Sequence, residues 1–225
     1  MTFHHTLQRW IWACVAATAA LGTFSMASAA EMPVSMANPP PAPASAAALA
    51  ARTLRPAADF AGIRDRGERS LALFNEMGKV LQHPRCVNCH PATERPLQTD
   101  AMRPHEPLVV RGPDGHGHPT GLRCDTCHTP QNFDPARVPG NPKWGLAPAE
   151  MAWEGRSLGE ICRQIKDPKR NHNMDMAALV KHMAEDVLVG WAWTPGPGRT
   201  PAPGTQREFG ELTRAWAKSG GHCPA

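Results

Sequence analysis

The chain has 225 residues, with 24 prolines, 19 glycines, seven cysteines and no tyrosine. That length suits one domain, and the modest aliphatic content argues for a loop-rich fold that draws apolar surface from something besides its side chains. A formal net charge of +4 is too mild to argue for nucleic acid, and it permits docking to an acidic redox partner.

The N-terminus has the layout of a signal peptide over residues 1–29. His4, His5 and Arg9 form a polar start, residues 10–24 are an apolar run too short for a comfortable membrane span, and Ala27-Ser28-Ala29 is a cleavage site of the A-x-A type. An uncleaved anchor is the alternative. A lipoprotein at Cys14 is rejected, because bulky Trp12 and too little apolar chain precede it. The expectation is an exported protein, periplasmic in a bacterium, with no membrane span after signal cleavage. Residues 30–58, centred on Asn38-Pro39-Pro40-Pro41-Ala42-Pro43, read as a flexible Ala/Pro-rich linker. The domain proper is expected over 59–225.

Residues 66–82 carry Leu73, Phe74, Met77, Val80 and Leu81 at helical spacing, and His83-Pro84 ends that helix. Met77 reads as core packing, with distal metal ligation as the alternative. Cys86-Val87-Asn88-Cys89-His90 follows at once, and Cys124-Asp125-Thr126-Cys127-His128 repeats the pattern. C-x-x-C-H is the attachment sequence for a c-type haem. Two thiols three positions apart can add to the two vinyl groups of one haem, and the next histidine then lies under the iron as proximal ligand. Two motifs imply two haems. A zinc ribbon and two local disulfides are the alternatives. The gap between the pairs exceeds the usual ribbon spacing of about 15–20 residues, and neither alternative explains His90 and His128.

Residues 84–147 show no periodicity. Covalent haems would hold such a stretch in place. His83, His105, His116 and His118 lie in or beside it as possible sixth ligands, and His116 and His118 are favoured because Gly115 and Gly117 allow close backbone approach. Ser157-Leu158-Gly159-Glu160 is a capping box opening a helix with Leu158, Ile161, Cys162 and Ile165 on one face. A third helix over about 175–189, capped by Asn173 or Asp175, buries Met176, Leu179, Val180, Met183 and Val187 and ends at Gly190. His182, on the flank of that stripe, is the first choice for a distal ligand. Thr205-Gln206-Arg207-Glu208 is a second capping box, opening a last helix with Phe209, Leu212 and Trp216 inward and Gly220 at its end. Cys162 and Cys223 remain as an even pair, for which a disulfide is the default in an oxidising compartment. Axial ligation by one thiolate is the alternative. The expected class is mainly α, a loop-rich dihaem cytochrome with about four helices and no substantial sheet.

A closer likeness lies in four stretches: Glu76 to Pro91, Arg111 to His116, Asn132 to Pro139, and Glu150 to Glu154. On these the chain resembles small exported proteins labelled as isoquinoline 1-oxidoreductase subunits. The resemblance implies a cytochrome partner of molybdenum hydroxylases, which pass their electrons to a carrier, and no molybdopterin or iron–sulfur domain is visible. The expected function is electron transfer from such an enzyme to a downstream cytochrome or oxidase. A dihaem peroxidase, and a haem-based sensor or structural subunit, are the competing readings.

Overall fold

A computed structural model describes residues 52–225. The proposed signal peptide, Cys14 and most of the proposed linker lie outside the described residues.

The protein is mainly helical. Among the described residues, six α-helices, α1 (Arg66–Leu81), α2 (Pro84–Val87), α3 (Leu158–Lys166), α4 (Met176–Glu185), α5 (Val187–Gly190) and α6 (Gln206–Lys218), are accompanied by several single 3-10 turns. A two-stranded ladder pairs β1 (Leu97–Gln98) antiparallel with β2 (Arg103–Pro104).

The core lies among α1, α3, α4 and α6. Leu73, Phe74, Met77, Val80 and Leu81 of α1 meet Ile161 and Ile165, Leu179 and Met183, and Phe209, Leu212 and Trp216. Phe74 and Trp216 touch with ring centroids 5.0 Å apart. Met77 is 1% exposed within this cluster, so it serves as packing. Small residues let the helices approach. A Cβ on Gly210 of α6 would stand 2.5 Å from the Cβ of Ala184 on α4.

Capping chemistry sets the helix ends. Asp65 accepts from Glu68 N at the start of α1, and Ser157 and Glu160 close a reciprocal capping box on α3. Thr205 forms half of the expected box. It accepts from Glu208 N, and its hydroxyl donates to Glu208 Oε2 at 2.9 Å. The single helix expected over 175–189 is two. Asp175 caps α4, and Asp186 (φ −67°, ψ 133°) ends it and caps α5, accepting from Leu188 N and Val189 N. An aspartate that serves its own backbone in this way interrupts a helix. Val187 falls past the break and is exposed.

Residues 52–58, assigned above to the linker, pack on the fold. Leu54 is buried, Arg55 N donates to Glu76 Oε1 at 2.9 Å, and Arg52 O accepts from Gly204 N at 3.0 Å. Cys162 and Cys223 are joined at a Cα–Cα distance of 5.5 Å, tying α3 to the tail beyond α6.

Candidate functional site

The first motif begins on α2. His83 is its N-cap, accepting from Arg85 N at 3.2 Å, and Pro84 takes the first turn, where no N–H is needed. His90 then folds back beneath the 149–154 segment. Its Nδ1 donates to Met151 O at 2.7 Å, and its ring lies flat on Trp153, with centroids 3.6 Å apart and planes 6° apart. Trp153 N donates in turn to His90 O at 2.8 Å. Burial, opposed by the Met151 carbonyl and helped by nearby His182 and Arg111, pushes the His90 pKa down to about 4.

The second motif repeats this support with other parts. Cys124 N donates to His116 O at 3.0 Å, and a 3-10 turn carries Cys124–Thr126. His128 Nδ1 donates to Pro139 O at 2.6 Å, and its ring stacks on Trp144 with centroids 4.7 Å apart. Trp144 meets Trp191 edge-on at 4.9 Å. Asn132 holds this wall, accepting from Gly140 N and from Trp191 Nε1, both at 2.9 Å. In both motifs Nδ1 is committed to a carbonyl, which fixes the tautomer and leaves the Nε2 lone pair for a metal.

A cavity of about 490 Å³ lies at the second motif, within the size range of small-molecule and cofactor sites. Cys124, Cys127, His128 and His105 line it, and Cys89 of the first motif contributes to the same wall. Arg85, Arg123, Arg137 and Arg199 face it as well. Two polar atoms on this lining, Arg85 Nε and Asn88 Oδ1, are buried with no hydrogen-bond partner among the described residues. A buried group left unmatched costs about 1–3 kcal/mol, more when charged, so the Arg85 Nε donor among the lining guanidinium groups suits an acidic group of a ligand, whereas Asn88 Oδ1 asks for a donor. An adjoining cleft of about 510 Å³ around Asp100 and Thr200, sharing Gly198 and Arg199 with this cavity, holds no motif residue.

The four motif thiols are unpaired. Burial pushes the Cys86 thiol up to about 12 and the Cys89 thiol up to about 11, which disfavours thiolates and suits an uncharged thioether. Among the described residues no three His, Cys, Asp or Glu side chains gather as a metal-ion group, so the pairs do not converge on the four ligands of a zinc ribbon. A haem asks only one or two axial ligands of the protein.

The distal candidates separate by tautomer and place. His118 is exposed, and its Nδ1 accepts from Thr120 N at 3.3 Å, so Nε2 carries the proton and offers no lone pair. His83 is engaged in the same sense by Arg85 N. His116 donates from Nδ1 to Trp144 O at 2.8 Å and packs against Gly145, outside the cavity lining. Gly115 and Gly117 do allow a close approach, but of the chain to itself. Added Cβ atoms would meet Leu146 O at 2.6 Å and Leu122 O at 2.5 Å. His182 is half-buried on α4, with Nδ1 3.9 Å from Asp186 Oδ2. It lies near enough to His90 to oppose that ring's protonation.

Sequence reading passed over the supporting residues: Trp144, Trp153, the carbonyls of Pro139 and Met151, and Arg111. Arg111 is 5% exposed and clamps the loop after the first motif, donating to Ala147 O at 3.0 Å and Glu94 Oε1 at 2.8 Å. For all but Trp144 the signal was present in the stretches that carried the family resemblance, since three of the four contain these supports. Comparison with protein-family models, curated proteins and solved structures finds no match to this chain.

Proposed function

We propose that this chain is a dihaem c-type cytochrome acting as an exported, periplasmic electron carrier. The observation that carries the reading is the paired support of His90 and His128. Each follows a C-x-x-C pair, each gives Nδ1 to a backbone carbonyl, and each is stacked on a tryptophan. Bound haem c supplies a one-electron couple at iron. Cys86 and Cys89, and Cys124 and Cys127, would be the covalent tethers, and His90 and His128 the proximal ligands. Trp153 and Trp144 hold the imidazoles in one orientation and keep water from one face of each. The guanidinium groups of Arg85, Arg123, Arg137 and Arg199 would neutralise the acidic edge of a group in the cavity. His182 is the candidate for the far side of the His90 site.

Cys89 lies on the wall of the cavity of the second motif, and its thiol feels the charge of Cys124. Sites sharing a wall would allow electron relay between them. The donor fits a molybdenum hydroxylase-type oxidoreductase by the family likeness, with a downstream cytochrome or oxidase as acceptor.

The mature protein from a periplasmic fraction should exceed its polypeptide mass by two haem masses, and acid-acetone should extract neither. The double variant Cys86→Ala/Cys89→Ala should keep one haem. An apoprotein of unmodified mass that retains zinc sinks the reading. A ferric iron that is high-spin in the wild type and binds peroxide rapidly would transfer the assignment to the peroxidase.

A further inference from the structure

We propose that His105 is the second axial ligand at the His128 site, so that this haem is held between two histidines drawn from opposite walls of one cavity. The inference rests on the dihaem reading above and adds a residue to it.

Three observations carry it. The His105 and His128 rings stand with centroids 6.0 Å apart and planes inclined at 55°. Two imidazoles bound trans to one metal by bonds of about 2 Å have ring centres about 6 Å apart at any inclination, which matches the observed spacing. Both rings line the same 490 Å³ cavity, together with the thiols of Cys124 and Cys127. Both have the same tautomer. His105 Nδ1 donates to Pro107 O at 2.9 Å and His128 Nδ1 to Pro139 O at 2.6 Å, and neither Nε2 makes a hydrogen bond among the described residues. A histidine whose Nδ1–H is fixed to a carbonyl and whose Nε2 faces a cavity is prepared as a ligand.

The backbone around His105 is held where a ligand must be held. The β1–β2 hairpin delivers it, and His105 N donates to Pro96 O at 2.8 Å. Arg95 grips its carbonyl twice, from Nε at 2.9 Å and from Nη2 at 2.6 Å. The hairpin is anchored in turn on the first motif. Asn88 O accepts from Leu97 N at 3.1 Å, and Asn88 Nδ2 donates to Thr99 O at 2.9 Å. The first C-x-x-C-H segment therefore positions the far ligand of the second. Of the other histidines near this cavity, His118 has its lone pair engaged, and His116 packs outside the lining.

The test compares His105→Ala, His105→Met and His116→Ala in the full chain, read by haem content, ferric optical spectrum and EPR. The wild type should show two low-spin ferric haems. His105→Ala should retain two covalent haems, with one becoming high-spin and returning to low spin on adding free imidazole. His105→Met should bring a sulfur-to-iron charge-transfer band and a higher potential for one haem only. His116→Ala should leave both low-spin. Two haems that remain low-spin in His105→Ala, with no band in His105→Met, overturn the ligand assignment and leave the dihaem reading intact. No covalent haem in the wild type overturns the dihaem reading itself. Should His105→Ala lose its second haem, His105→Met decides, and an unchanged wild-type spectrum in that variant counts against the assignment.

Discussion

His90 sits in a half-buried seat, with a carbonyl at Nδ1 and an indole flat against one face. Without a bound group, that seat favours the neutral ring. The folded pKa of about 4 lies below the ordinary 6.5. The unfolded chain thus binds more protons between those values, and stability rises with pH across that window and falls as acid is added. Burial lowers His83, His128 and His182 in the same direction, so the contributions share a sign. For the Cys86→Ala/Cys89→Ala variant, in which the proposed haem could not be tethered beside His90, the His90 contribution to unfolding free energy should shrink by about 2 kcal/mol between pH 7 and pH 5. Urea titrations at the two pH values would measure it, and adding His90→Gln to the same variant should flatten the slope. An equal slope in both would show that His90 titrates normally. The residue type and position of His90 were legible from the pentapeptide. Its tautomer was not, because the carbonyl that fixes it belongs to Met151, sixty-one residues away.

Helices were legible where side-chain chemistry marks their ends and faces, as the boundaries of α1, α3 and α6 show. The apolar stripe of α4 also reads correctly as far as Met183. Its continuation through Val187 does not, because periodicity contains no term for an aspartate that turns on its own backbone. Asp186 accepts from two N–H groups of α5 and pairs with Lys143 Nζ at 2.8 Å. Asp186→Ala should therefore cost about 1 kcal/mol, the usual value of a lost cap, read as a lower urea midpoint at unchanged slope. The close crossing of α4 and α6 was equally hidden, since a glycine inside a helix reads only as a weakness. Here Gly210 admits Ala184. Gly210→Ala should raise intrinsic helix propensity yet destabilise the protein by about 1–3 kcal/mol, because the obstructing atom is a Cβ fixed to the facing backbone. A higher melting temperature for Gly210→Ala would show that the helices can separate at no cost.

The molecule has two halves of different construction. The helical half owns nearly all the buried apolar side chains. In residues 88–147, Val109 is the one buried hydrophobic among the described residues, while Met102, Leu108, Val110, Leu122 and Phe133 are exposed. The Cys162–Cys223 bond strengthens the half that is already well packed. It closes a separation of 61 residues, which the chain-entropy account values at about 4 kcal/mol. The 88–147 stretch is held by hydrogen bonds and by the Arg111 clamp, and it contributes much of the cavity wall. Buried apolar contact is what separates globally protected segments from those that open locally. A bound haem would supply that contact for the loop half at about 25 cal/mol per Å² covered. Removing both proposed tethers of the second site, Cys124→Ala with Cys127→Ala, should therefore act unevenly. Hydrogen exchange should speed up by at least about tenfold at amides of residues 112–146, while α1, α3, α4 and α6 keep their protection and the far-ultraviolet signal scarcely changes. Equal protection of 112–146 in the wild type and the double variant would mean that the loop half stands on its polar contacts alone, and the cavity would then lose its structural role.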